Sequence, residues 1–300
     1  MTTQGTWRLA HDRELDLSVP RFMGILNVTP DSFSDGGHHA TLESAVAHAR
    51  RLIDEGADII DIGGESTRPG AERVSVEDQI LRVVPVVQAL RREGVAVPIS
   101  VDTTRLAVAE RALEAGADAI NDVAAATEDP AILPLVAARG AGLIMMHRLA
   151  PPGHDRYSTE YESDPEYGAD PDGVVDAVCE FLIDRADAAH DAGVTDQALV
   201  LDPGLGFGKT VSQNYRLIAS TARLLEMGYP ILSAASRKSF TGAAVPGERV
   251  AVEDRLPASL AITLLHYQAG VRLFRVHDVA AHRRALAALT RIDDPGGETR

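Results

Sequence analysis

Asp102, Asn121 and Asp202 each end a short apolar run of the sequence, and Asn27, Met146-His147, Lys238 and His277 close similar runs elsewhere. A carboxylate or carboxamide brought to the end of a buried segment needs a cation or several N–H donors. The edge of an amidine-like heterocycle supplies paired donors at hydrogen-bonding spacing. Asp and Asn also cap helices, but three of them at one mouth exceed what capping asks for. A second group is basic. Arg68 sits in the turn GGESTRPGA at 63–71, Arg237 and Lys238 in SRKSFTG at 236–242, and Arg275 and His277 alternate in RVH. Alternation puts Arg275 and His277 on one face of a strand, and an arginine there can grip an oxyanion with two N–H groups. Ser239, at the start of an expected helix, adds a hydroxyl to a good seat for a carboxylate or phosphate. Alone, Arg68 reads as a solvated turn and His277 as a structural histidine; together they read as an anion site.

Other chemistries fit poorly. DPGLGFGKT at 202–210 suggests a phosphate loop, but Gly204 lies one residue too close to Gly208-Lys209-Thr210 and Pro203 occupies the position the pattern requires. Its glycines at 204, 206 and 208 alternate, which also fails the dinucleotide fingerprint. The segment reads instead as a glycine loop that admits a flat ring close to the backbone, with Phe207 as a stacking or wall residue. His38, His39, His147, His154 and His277 show no zinc-type spacing.

These residues need elements to carry them. Apolar runs at 22–26, 58–62, 99–101, 119–120, 143–146, 198–201, 231–235 and 273–276 read as buried strands. Ala-rich stretches of helical period at 42–55, 76–92, 106–115 and 260–268 lie between them. Gly56, Gly116, Gly193 and Gly270 stand where left-handed helix ends are expected. About eight strand–helix alternations in roughly 250 residues predict a single α/β (β/α)8 TIM barrel, ahead of a doubly wound sheet. Such a barrel builds its site at the C-terminal ends of the strands, which is where the polar residues fall. Residues 1–21 are expected to form a hairpin covering the barrel bottom, 22–292 the barrel, and 293–300 a flexible tail. The Pro-, Gly-, Tyr- and acid-rich stretch 148–173 is too long for an ordinary connection and reads as a mobile lid or a disordered insert.

The chain has 300 residues, 32.0 kDa, a formal net charge of -15 and a hydrophobic share of 45%. That acidity excludes a general nucleic-acid binder, and no stretch approaches the ~18 apolar residues of a membrane span. Charges interrupt the N-terminal segment where a signal peptide would be apolar. The single Cys179 forms no internal disulfide, and with these features the expected setting is the cytoplasm.

The segments at 24–37 and 63–71, SVDT at 100–103, NDV at 121–123, DPGLGFGK, SRKSF and RVHDV together resemble the dihydropteroate synthases, in the right order over nearly the whole chain. The resemblance implies an enzyme of folate biosynthesis, a homodimer with small-molecule substrates. It would join 6-hydroxymethyl-7,8-dihydropterin pyrophosphate to 4-aminobenzoate and release pyrophosphate. It further implies that Asp102, Asn121, Met146, Asp202 and Lys238 hold the pterin. Asn27, Arg68, Arg275 and His277 would hold the pyrophosphate, with Mg2+ at Asn27. Phe33, Thr67, Pro69, Phe207 and Ser239 would shape the 4-aminobenzoate pocket, a sulfonamide target, and Asn27, Asp35, Thr67, Arg68 and Lys238 would serve the reaction. No protein nucleophile is needed: cleavage of the carbon–oxygen bond leaves a pterin-stabilised carbocation that the arylamine attacks. A pterin-binding methyltransferase barrel and a non-catalytic pterin-binding paralogue are the alternatives. Ala124-Ala125-Ala126, Thr241 and the stretch 148–173 depart from the expected pattern.

Overall fold

The computed structural model describes residues 5–28, 37–167, 173–245 and 247–293. An antiparallel hairpin of β1 (Thr6–Leu9) and β2 (Arg13–Asp16) comes first. Eight strands follow: β3 (Arg21–Asn27), β4 (Ile59–Gly63), β5 (Ile99–Asp102), β6 (Ala119–Asp122), β7 (Gly142–Met146), β8 (Leu199–Asp202), β9 (Leu232–Ser233) and β10 (Leu273–Val276). Between and after them run α1 (Gly37–Asp54), α2 (Val76–Arg92), α3 (Leu106–Glu114), α4 (Ile132–Arg139), α5 (Gly173–Asp191), α6 (Val211–Ala219), α7 (Thr221–Leu225), α8 (Leu256–Ala269) and α9 (Val279–Asp293).

All neighbours in the eight-stranded sheet are parallel, from β8 through β7, β6, β5, β4 and β3 to β10 and β9. A bridge between Leu201 and Ile231, with Leu201 N–H donating to Pro230 O at 2.9 Å, brings β8 to β9 and closes the ring. That bridge decides against the doubly wound sheet, whose outer strands stay apart. The eight expected strands are all present. β9 is shorter than its apolar run because only Leu232 and Ser233 pair regularly with β10. Two helix starts also differ. α1 begins at Gly37, five residues ahead of the expected 42, since nothing in His38-His39-Ala40 breaks a helix. α8 starts at Leu256 with a proline in its first turn, a position that tolerates the missing N–H.

Alternation sorts the strand residues. One face packs on the surrounding helices in the main core, with Leu26, Ile60, Val101, Ile120, Leu143, Leu201 and Phe274 among its members. The other face fills the barrel: Met23, Ile59, Ala119, Ile144, Val200, Leu232 and Leu273 pack with Trp7, Leu9, Leu15 and Leu17 of the hairpin. Trp7 is fully buried and donates from Nε1 to Ala198 O at 2.9 Å. The hairpin therefore stoppers the N-terminal end of the barrel. A side chain at Gly142 would come within 2.6 Å of Leu9 and 2.9 Å of Trp7, so this close approach requires glycine.

Candidate active site

Strand register aligns the polar ends. Asn27 pairs with Gly63, Gly63 with Asp102, and Asp102 with Asn121, while Met146 pairs with Asp202. These positions continue the inward phase set by the apolar layer below, so Asn27, Asp61, Asp102, Asn121, Met146, Asp202 and Arg275 face the barrel axis near its C-terminal mouth. Asp102, Asn121, Met146 and Asp202 are all buried. Met146 joins Val123 and Phe207 in a small apolar cluster at the same end.

Arg275 organises the floor of this mouth. Its Nε donates to Asp61 Oδ2 at 2.6 Å and its Nη2 to Asp102 Oδ2 at 3.1 Å. Burial opposes the guanidinium charge, but the two carboxylates outweigh it and the Arg275 pKa rises. Asn121 Nδ2 also donates to Asp61 Oδ2, at 3.1 Å. Burial raises the Asp102 carboxyl above its ordinary range, against the pull of Arg275 and with help from neighbouring carboxylates. Asp202 is raised for the same first reason, opposed by Lys238 and by the Gly204 N–H that donates to its Oδ1 at 2.7 Å. Part of Asp202 thus does serve as a local cap.

Further basic groups reach the same mouth. Burial lowers Lys238 to about 8, although Asp202 favours its charge. Its Nζ donates to Leu205 O and lies 4.4 Å from the centre of the Phe207 ring. Burial, with Arg275 and Arg237 nearby, holds His277 down to about 3, so it meets an anion as a neutral ring and not as a cation. Its Nδ1 and Ser236 Oγ are 3.1 Å apart. Arg68 is exposed on the loop after β4, near enough for its charge to bear on His277. Arg237 turns away, in a left-handed conformation at φ 57°, to pair with Asp278. Asn27 and His277 line a cavity of 540 Å³ shared with Ile25, Ser44, Ala47, His48 and Arg51.

Of the residues expected to shape the 4-aminobenzoate pocket, Thr67, Pro69 and Ser239 are half-buried and Phe207 is buried. Phe33 and Asp35 lie outside the described residues. Ser239 begins a five-residue 3-10 helix, Ser239–Ala243, instead of a long helix, so its hydroxyl and not a helix dipole is what it offers an anion. Thr241 donates from Oγ1 to Lys238 O at 2.7 Å and so pins the basic segment. At the other departure, the Asp122 carboxylate accepts from Ala124 and Ala126 N–H, both at 2.8 Å, and fixes Ala125 and Ala126 at φ 50° and 56°.

The glycine loop has a different logic from the one its sequence suggests. Gly204, Gly206 and Gly208 are left-handed at φ 68°, 83° and 62°. A Cβ on them would strike His147 O at 1.8 Å, Lys238 Cδ at 2.9 Å and Leu149 Cβ at 2.5 Å. The glycines make room for the protein's own chain, not for a flat ring. Lys209 is fully buried beneath the loop. Its Nζ donates to Gly204 O at 3.0 Å and Phe207 O at 2.9 Å, and lies 3.0 Å from His147 Nδ1. Burial lowers Lys209 to about 7 and His147 to about 2. Thr210 then caps α6 in a reciprocal capping box with Gln213.

Residues 148–167 of the long connection are folded down on this loop. Asp155 accepts from Gly208 N–H at 3.1 Å, and Tyr167 OH donates to Gly208 O at 2.7 Å. Gly70 N–H donates to Pro152 O at 2.8 Å, tying the same connection to the loop after β4.

Sequence reasoning missed Asp61, Ser236, Ser158, Lys209 and Asn214. Asp61 had a signal: a carboxylate interrupting the apolar run Ile59-Ile60-Asp61-Ile62. The others are recognisable only from the contacts that the folded chain makes.

A family profile described as "Pterin binding enzyme" matches residues 23–277. A dihydropteroate synthase of Clostridium beijerinckii is 42% identical over 264 residues, 88% of this chain and 90% of the relative. A structure of Xanthomonas albilineans dihydropteroate synthase with 4-aminobenzoic acid superposes with a TM-score of 0.85 at 44% identity, covering 96% of this chain and 99% of the other. A second Xanthomonas albilineans structure, in complex with 7,8-dihydropteroate, gives 0.80 at 41% identity, with 96% and 99% covered.

Proposed function

Because the chain belongs to the family of pterin-binding enzymes, among the dihydropteroate synthases, we propose the following division of labour within its barrel mouth. The enzyme condenses 6-hydroxymethyl-7,8-dihydropterin pyrophosphate with 4-aminobenzoate and releases pyrophosphate. The observation that carries the assignment of roles is the convergence of two sets. Buried Asp102, Asn121 and Asp202 share one mouth with Lys238, Arg275 and His277, with Arg275 donating directly to Asp102 and Asp202 bearing on Lys238.

Asp202 and Asn121 take the donor edge of the pterin, Met146 lies against its face, and Asp102 acts both on the ring and on Arg275. Arg275, Arg68 and Lys238 stabilise the charge that develops on the departing pyrophosphate, and neutral His277 contributes an N–H donor. Carbon–oxygen cleavage then leaves a cation delocalised into the pterin, and the amine of 4-aminobenzoate attacks the exocyclic carbon. Thr67, Pro69 and Phe207 hold the aromatic ring and Ser239 Oγ donates to its carboxylate. Phe33 and Asp35 belong to this reading through the family resemblance. The same pocket admits sulfonamides, which share the ring and amine.

Magnesium fits in a limited way. Asn27 offers one neutral oxygen on the cavity wall, and among the described residues no group of three or more His, Cys, Asp or Glu is placed to hold a metal. Mg2+ would therefore take most of its ligands from pyrophosphate oxygens and water. When bound, it supplies neutralisation of the leaving group's charge.

The homodimer reading is supported by α8. Pro257, Ala261, Leu265 and Ala269 recur every four residues along it, and all four are exposed and apolar. Such a stripe suits a second copy of the chain. A cytoplasmic location is proposed from the lone Cys179, and no helix among the described residues is long and apolar enough to cross a membrane.

The assay follows pyrophosphate and dihydropteroate together, with pterin pyrophosphate, 4-aminobenzoate and Mg2+ supplied. Equal formation of both is expected. Pyrophosphate without dihydropteroate would overturn the arylamine site, and neither product would overturn the activity.

A further inference from the structure

Ser158, in the connection after β7, joins two segments that reach the proposed arylamine pocket from different strands. It is buried, and its backbone N–H donates to Ser239 Oγ at 3.2 Å. Its own Oγ accepts from Asn214 Nδ2 at 3.1 Å. Asn214, fully buried on α6, accepts from Gly206 N–H at 2.6 Å through Oδ1, and its Nδ2 also donates to Thr210 O at 2.7 Å. A continuous chain of hydrogen bonds therefore runs from the glycine loop that carries Phe207, through Asn214 and Ser158, to the hydroxyl of Ser239.

This chain has a directional consequence. A hydroxyl has one proton and two acceptor lone pairs. With the Ser158 N–H occupying one lone pair, the Ser239 proton points elsewhere and is free to be donated to an anion. We propose that Ser158 is a positioning residue for the carboxylate of the arylamine substrate: it holds the Ser239 hydroxyl as a donor at a fixed separation from the Phe207 wall. The inference rests on Ser239 receiving that carboxylate. It gives the long connection a role in selecting the second substrate, since no member of the chain Asn214–Ser158–Ser239 belongs to the pterin or pyrophosphate sets.

The test compares steady-state kinetics of Ser158→Ala, Ser158→Thr, Ser239→Ala and the double variant Ser158→Ala/Ser239→Ala. Ser158→Ala breaks the link to Asn214. It should raise the KM for 4-aminobenzoate about 5- to 10-fold, the scale of one net hydrogen bond, and leave the KM for pterin pyrophosphate and kcat within about twofold. Ser158→Thr, which keeps Oγ, should restore the KM. The double variant should be no worse than Ser239→Ala alone, because Ser158 acts through Ser239. Ser158→Cys keeps the volume but accepts poorly, and it carries the same expectation should the alanine variant not fold. If Ser239→Ala leaves the 4-aminobenzoate KM unchanged, the carboxylate reading itself falls. If Ser239→Ala raises it and Ser158→Ala does not, only the positioning role is overturned. Equal rises in both substrate KM values would reduce Ser158 to a structural residue.

Discussion

Arg275 and Asp61 meet inside the barrel with 2.6 Å between Nε and Oδ2, and Asp61 is fully buried. The second hand of the guanidinium rests on Asp102 at 3.1 Å. Removing one partner of a buried pair leaves a charge without its compensation, which costs about 3–5 kcal/mol. Because Asp102 remains, Asp61→Ala should sit near the lower end, about 3 kcal/mol by urea unfolding. It should also raise the KM for pterin pyrophosphate by letting Arg275 swing. An unfolding midpoint and KM both matching the parent would make the pair incidental.

Asp202→Asn keeps the shape of the side chain but not its acceptors. Gly204 N–H already occupies Oδ1 at 2.7 Å, so the new amide must keep its oxygen there and turn its NH2 toward the mouth. That NH2 faces the ring donors expected of a pterin. Loss of a charge-assisted bond is worth ~1.5–3 kcal/mol, roughly 10- to 150-fold in affinity. Calorimetric titration with a pterin reads this directly, and unchanged affinity would leave Asp202 as a cap alone.

Lys238 sets an alkaline limit. Its pKa is depressed to about 8 by burial, so the free enzyme loses this charge as pH rises through about 8 and keeps it below. The pH profile of kcat/KM for pterin pyrophosphate, which reports the free enzyme, should fall on that limb. Lys238→Arg cannot deprotonate in this range, and should carry the plateau past pH 9 whatever its absolute rate. A variant with the same limb as the parent would assign the titration to another group.

Acid should unfold the protein through its buried histidines. His266 and His282 are held neutral by burial, both at about 4, and their Nε2 atoms have no partner among the described residues. The unfolded chain binds their protons near pH 6.5, so stability falls as pH drops from there toward 4. Each contributes a slope of about 1.4 kcal/mol per pH unit. His266→Asn, which retains a polar atom near Ser233 but does not titrate, should flatten the pH dependence of urea unfolding by that amount between pH 6 and 5. Parallel curves for variant and parent would reject this.

Inhibition by sulfamethoxazole should be competitive with 4-aminobenzoate. Sulfonamides share the ring and amine of 4-aminobenzoate and would compete with it for Thr67, Pro69, Phe207 and Ser239. Discrimination between such close analogues requires only ~1–3 kcal/mol, so weaker inhibition is compatible with the pocket. Inhibition that persists unchanged as 4-aminobenzoate rises is not.

Much of the barrel was legible because strands and helices announce themselves locally: apolar runs ended by polar residues, and Gly56, Gly116, Gly193 and Gly270, all left-handed as expected. The polar strand ends could be gathered at one mouth because every parallel strand of a barrel points the same way. Asp61 escaped because Asp58-Ile59-Ile60-Asp61-Ile62 contains two carboxylates, and only the pairing of Gly63 with Asp102 fixes which of them faces inward. Lys209 was hidden by its motif, which asks for a nucleotide and finds two carbonyls. The connection after β7 looked unstructured because its partners lie far along the chain, as with Asp155 to Gly208 and Ser158 to Ser239. A composition rich in Pro, Gly, Tyr and acid carries no trace of such contacts.

The stopper at the barrel bottom ties the hairpin to strands far along the chain, β7 and β8 above all. Trp7 packs in one cluster with Leu273 of β10, and β10 pairs with β3 beside it. The indole cannot be seated until the stretch from Gly142 to Ala198 is in place, and such contacts, distant along the chain, are among the slower to form. Trp7 is also the single tryptophan of the chain. Its fluorescence is consequently a built-in clock for the seating of the hairpin: helix formation elsewhere should pass silently, and the signal should change when the hairpin docks on β7 and β8.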